Sequence, residues 1–214
     1  MAKVKMSKKA TSIDMTAMCD VAFLLLTFFI LTATAKMPEP LPVDTPSSTV
    51  QTKLPETGLV TITVGKSEGK EQVFFGMKDR AIRSGALAYM AQKYKVTFTD
   101  AEKTQFELVD EFGVPVEGLK QLLAMKGADR AKKGVQPGIP SDSIAIKANN
   151  NQLQDWIQGA RKANIDNGGT KELQFAIKGD AKEEYPQIKR VMDILQDQKI
   201  NSFNLVTGLR GKDY

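Results

Sequence analysis

The 214-residue chain has no histidine and one cysteine, Cys19. Without histidine there is no Ser-His or Cys-His nucleophile, no His-containing zinc site, and none of the side chain that most often serves as a general base near neutral pH. With one cysteine no intrachain disulfide can form, so cysteine usage says nothing about redox compartment. Aromatic residues make up only 7% of the chain. The net charge of +5 is supplied almost entirely by Lys3, Lys5, Lys8 and Lys9, and no basic-aromatic cluster accompanies it, which leaves nucleic-acid binding little to stand on. Gly65-Lys66-Ser67-Glu68-Gly69-Lys70 is glycine-rich. Its glycines are separated by three residues instead of four and Glu71 follows the lysine, so it is not a phosphate-binding loop. No cofactor or metal motif is found, and no catalytic constellation supports an enzyme.

What is present is one long apolar run. From Val21 to Leu31 every residue but Thr27 is apolar, and extension to Met15 and Ala35 gives 21 residues, close to the ~20 that a hydrocarbon core requires. The segment predicts a single membrane-spanning helix with Asp20 inside it. A carboxylate near a helix centre costs ~2.5–3.5 kcal/mol on insertion scales, so it needs a protein or water partner and marks a functional position. Residues seven apart share a helix face to within ~20°. Asp20, Thr27 and Thr34 have that spacing and Thr16 lies four residues before Asp20, so one polar stripe runs down the helix toward another helix or a water-filled seam. The alternative is that the threonines bond their own backbone carbonyls.

A cleaved secretory signal would share the basic start and the small-residue motif Ala33-Thr34-Ala35. Two features oppose it: the segment before the apolar run is about 20 residues long, and it places Asp14 and Asp20 against that run. A lipoprotein reading of Cys19 fails because the apolar run follows the cysteine. An uncleaved anchor is the better reading. The lysines before residue 10, against only Lys36 and Lys53 with three acids in the thirty residues beyond the run, place the N-terminus (1–14) in the cytoplasm and the remainder outside the inner membrane.

Ile13-Asp14-Met15-Thr16-Ala17-Met18-Cys19-Asp20-Val21 and the Phe/Leu-rich run after it resemble the membrane segment of the ExbD/TolR family of biopolymer-transport proteins. In that family a Thr-Pro pair precedes the membrane aspartate; Thr16 matches the threonine, and Ala17 stands where the proline would be. The resemblance implies that Asp20 is the protonatable, ion-translocating group of a proton-driven motor. It also implies an ExbB-like multispan membrane partner, a TonB-like periplasmic partner and a homodimer.

Past the span (15–36), Met37 to Leu54 with prolines at 38, 40, 42 and 46 reads as an extended tether, with the linker closing near residue 56. At ~3.1 Å per residue its eighteen residues could reach ~55 Å. The remaining residues, 57–214, suffice for one compact domain. Val60, Ile62 and Val64, then Gln72 to Phe75, predict a β-hairpin; Leu173, Phe175 and Ile177 predict another strand. A helix opens at Tyr185-Pro186 with Ile188, Val191, Met192 and Leu195 on one face, and a last short strand lies within Asn201–Thr207. The strand-helix-strand order implies a parallel pair. An earlier helix covers about Leu153 to Lys162, capped by Asn149–Asn151. The expected fold is α+β: a small mixed sheet with two helices on one face, which is also what the resemblance implies. Asp180, Glu183 and Glu184 read as a turn and the acidic start of a helix.

Residues 77–146 exceed the short connection the family pattern needs. Ile82 to Tyr94 predict one amphipathic helix, Thr99-Asp100-Ala101-Glu102 a capping box for a second carrying Phe106, Val109 and Phe112, and Val116 to Met125 a third. This is read as a helical insertion packed on or beside the sheet. Ser202, Phe203, Asn204, Leu205 and Val206 form the candidate partner-binding edge strand, because an exposed edge is a template for strand addition. The favoured function is the ExbD-like component of a TonB-ExbB-ExbD type motor, driven by the proton motive force and powering outer-membrane transport. The alternative is a TolR-like or stator-like envelope anchor that binds peptidoglycan.

Overall fold

The computed structural model describes residues 15–32, 39–48, 54–55, 57–67, 69–132, 134–141, 151–169, 172–180 and 185–209. The chain divides into two compact units, residues 1–37 and 38–214. In the first, Met15–Thr32 forms helix α1, whose eighteen residues suffice in length and apolarity to cross a membrane.

The second unit is an α+β domain around a five-stranded mixed sheet. β2 (Leu59–Ser67) and β3 (Lys70–Met77) form the expected hairpin, turning at Gly69, whose φ of 76° suits glycine. β5 (Gln174–Gly179) pairs with β2 in parallel, and β6 (Phe203–Val206) pairs with β5 in parallel, as the strand-helix-strand order requires. β4 (Glu111–Phe112) closes the other side against β3, giving the order β4-β3-β2-β5-β6.

Alternation along the strands sends Val60, Ile62, Val64, Val73, Phe75, Met77, Phe175 and Ile177 into one hydrophobic core. Over that face lie α6 (Gln152–Asp166), with Asn151 accepting a hydrogen bond from the Gln154 amide at its start, and α7 (Tyr185–Asp197). These are the two helices expected there. They do not cover it alone, since α2 (Arg80–Tyr94) packs along α6 and contributes Ile82, Ala86, Leu87 and Met90. Asp155 of α6 joins the two helices as it accepts from Lys93 Nζ at 2.5 Å and from the Tyr94 hydroxyl at 2.8 Å. Burial and Asp155 push the Tyr94 hydroxyl well above its usual range.

The segment 77–146 departs from a purely helical insertion in three ways. Met77 ends β3. The capping box at Thr99 and Glu102 forms as expected and opens α3 (Asp100–Glu107), but that helix ends before Val109 and Phe112. Phe112 belongs to the sheet, opposite Phe75, where it meets Trp156 at 4.8 Å and Phe106 at 5.2 Å. The third predicted helix divides into a 3-10 turn at Val116–Gly118 and α4 (Leu119–Ala124), with α5 (Gly127–Arg130) beyond. Apolar periodicity cannot separate a short buried strand from a continuing helix.

The tether is not free along its described length. Leu41 is 5% exposed, and Ser47–Ser48 (β1) pairs in parallel with Gly208–Leu209 (β7). The prolines and polar residues that suggest an open chain are compatible with a strap laid over the domain, because its contacts come from residues distant in sequence.

Candidate functional site

Asp20 is the one charged residue in helix Met15–Thr32, and its flanking residues are exposed on that helix. Thr16 lies one turn before it. The Thr27 hydroxyl donates to the Leu24 carbonyl at 2.9 Å, and Thr32, outside the predicted stripe, donates to Phe28 at 2.8 Å. Thr27 therefore satisfies its donor within its own helix while its oxygen remains able to accept. Thr34 lies outside the described residues.

The candidate edge strand begins one residue later than expected. Ser202 is exposed and precedes β6, while Phe203, Asn204, Leu205 and Val206 form it. Among the described residues β6 has β5 as its one ladder partner in the five-stranded sheet. Leu205 is 54% exposed despite standing opposite buried Ile177. Beside the strand start runs an open groove of about 810 Å³, lined among others by Arg161, Ile165, Lys199, Ser202 and Asn204. Main-chain groups next to a partly apolar, partly cationic groove offer what an extended peptide needs.

A third cluster was not legible in the sequence. On the face of the sheet opposite the core, Lys178 of β5 stands beside Thr63 of β2, which is fully buried. Lys178 Nζ pairs with Glu39 of the strap at 2.5 Å, across 139 residues of sequence. Glu111 of β4 lies on the same face, where burial pushes its carboxyl above the usual carboxylate range. The neighbouring Thr63 hydroxyl and Lys178 ammonium act against that, and Glu39 and Asp110 add to it. A Glu-Phe dipeptide within an insertion carries no signal of this kind; only the strand pairing reveals it.

Asp180 directly follows β5, its amide donating to the Val64 carbonyl at 3.2 Å, while residues 181–184, with Glu183 and Glu184, lie outside the described residues. Among the described residues no group of three or more His, Cys, Asp or Glu side chains could hold a metal ion. The family model for biopolymer transport protein ExbD/TolR matches residues 6–209, nearly the whole chain. No curated protein and no solved structure matches it.

Proposed function

We propose, on the premise that this chain belongs to the ExbD/TolR family of biopolymer transport proteins, that it is an ExbD-like component of an inner-membrane motor driven by the proton motive force. The observation that carries the reading is the lone carboxylate of Asp20 in an otherwise uncharged, apolar helix of membrane-spanning length. Asp20 takes a proton from the outside, is neutralised, moves relative to an ExbB-like multispan partner and releases the proton inward. Neutralisation is what makes the movement feasible, because the ionised carboxylate is costly wherever lipid replaces its partner. Thr16 and Thr27 supply hydroxyl oxygens on the stripe that leads to it, and Thr34 continues their spacing in the sequence. Each charge crossing ~100 mV yields ~2.3 kcal/mol, so a strong mechanical event needs several.

The basic residues at the start of the chain support an orientation with the N-terminus in the cytoplasm and the domain in the periplasm. There the domain works as a homodimer and passes force to a TonB-like protein that adds as a strand to β6. The test is Asp20→Asn. It removes the carrier and raises the helix's hydrophobicity, so the variant is expected to insert and to co-purify with its multispan partner in mild detergent yet to lose energised transport. Asp20→Glu keeps the carboxyl and is expected to retain partial activity. Wild-type transport by Asp20→Asn would refute the ion-carrier role.

A further inference from the structure

Residues 39–48 and the insertion meet on the face of the sheet that the core helices do not cover. The strap is seated there by shape. A Cβ built on Gly65 would lie 2.8 Å from Val43 Cγ1 and 3.1 Å from Leu41 Cδ2, so the bare backbone of β2 is the seat for these two side chains. The strap is also seated by charge, through Glu39 on Lys178, and by backbone pairing between Ser47–Ser48 and Gly208–Leu209.

Glu111 lies on the same face, opposite Gly76, where the charges of both Lys178 and Glu39 act on it. Its Cβ and Cγ would be 3.5 and 3.6 Å from a Cβ on Gly76, so its stem runs along glycine backbone across the sheet. Its Oε1 is sealed from solvent without a hydrogen-bond partner among the described residues, and so is Thr63 Oγ1. The Thr63 hydroxyl favours the ionised carboxyl by its proximity, yet the two do not meet at hydrogen-bond geometry in this state. The charged groups around Glu111 are Lys178 from β5, Glu39 from the strap, and Asp110 from the residue before it, the last held at 2.8 Å by Arg83 of α2.

We propose that Glu111 is a proton-binding site that latches the strap, with Lys178 switching between Glu39 when the strap is docked and Glu111 when it is lifted. In the docked state Glu111 is a neutral acid and Lys178 and Glu39 neutralise each other, so the three groups sum to zero. In the lifted state Glu39 is in water, Lys178 faces the Glu111 carboxylate, the three sum to −1, and one proton has passed to solvent. Each change on lifting favours ionisation of Glu111: water reaches it, the negative charge of Glu39 leaves, and the lysine is freed. Because the strap raises the proton affinity of Glu111, protonation of Glu111 must stabilise the docked strap by the same factor. Docking is therefore favoured below the titration of Glu111 and weakens as pH rises through it. Lifting adds ten residues, or ~31 Å at ~3.1 Å per residue, to the chain available between helix and domain. The insertion thus contributes a group that senses pH where the tether docks, independent of Asp20.

Hydrogen exchange on the full chain in mild detergent, read for residues 39–48 between pH 5 and 9 and corrected for intrinsic rates, tests this. In wild type, strap exchange should accelerate through one titration, by at most tenfold per pH unit for one coupled proton. Glu111→Gln should keep the strap protected throughout, and Glu39→Gln should leave it fast at every pH, with the hairpin Leu59–Met77 unchanged in both. A wild-type strap whose protection ignores pH, or a pH response that survives Glu111→Gln, overturns the latch. Should Glu111→Gln lose hairpin protection, Gly65→Leu, which fills the seat, provides the converse measurement. In that variant the Glu111 carboxyl ¹³C resonance should titrate in the ordinary glutamate range, and titration unchanged from wild type overturns the proposal.

Discussion

Phe106 shows how one side chain joins the insertion to the core. It is fully buried at the end of α3, stacks on Trp156 at 5.8 Å, and meets Phe112 edge-on at 5.2 Å. Truncating a buried phenylalanine costs ~3–5 kcal/mol through lost transfer energy and the cavity left behind. Phe106→Ala should lower stability by that amount in urea unfolding of the full chain in detergent, followed by the fluorescence of Trp156. A loss under ~1 kcal/mol would show that the insertion is not part of the cooperative domain. Gly113 makes the opposite point: a Cβ there would come 2.5 Å from the Phe74 ring. Gly113→Ala should destabilise by ~1–3 kcal/mol, the usual cost of overpacking, measured by the same unfolding. Both residues were legible only as an apolar and a small position. What each touches depends on strand pairing.

At the scale of elements, β6 is where the proposed partner strand would add. A strand's amides alternate in direction, and proline is tolerated where the amide faces away from the ladder. Asn204→Pro, Leu205→Pro and Val206→Pro should therefore differ. Positions with the amide toward β5 should lose the fold by circular dichroism, whereas a position with its amide outward should stay folded and lose capture of an extended partner strand in pull-down. Folded variants that all still bind would move the partner site to the insertion. The strand itself was legible because Phe203 and Leu205 alternate with Ser202 and Asn204. Its place at the sheet edge was expected from its short length and mixed polarity, and the strand order puts it there; that β5 is the strand beside it was decided only by the pairing.

Over the whole molecule, the tether must provide reach and also contact. A chain chosen for reach alone would tolerate any flexible sequence, whereas Leu41, at 5% exposure, ties the segment to the domain. Replacing residues 39–48 with Gly and Ser at equal length should preserve reach while lowering domain stability. Burying one leucine side chain is worth ~1.5–3 kcal/mol, and the loss of that contact should appear as a lower urea midpoint. Unchanged stability would mean that the strap adds nothing to the fold.

The sequence by itself determined the elements whose signal is local. The apolar run with Asp20 inside it, the hairpin on either side of Gly69, the capping box at Thr99, the Asn151 cap and the amphipathic face of α7 are all set by neighbours within a few residues. The α+β class follows from their order. Tertiary structure alone decided what depends on residues far apart: that Phe112 leaves the helix pattern to pair with Phe75, that α2 shares the core with α6, and that Lys178 holds Glu39 across 139 residues. The physical reason is the same in each case. Backbone propensity acts over one or two turns, but burial, and the charge pairing it enforces, is settled only when the sheet brings its second face together with the strap.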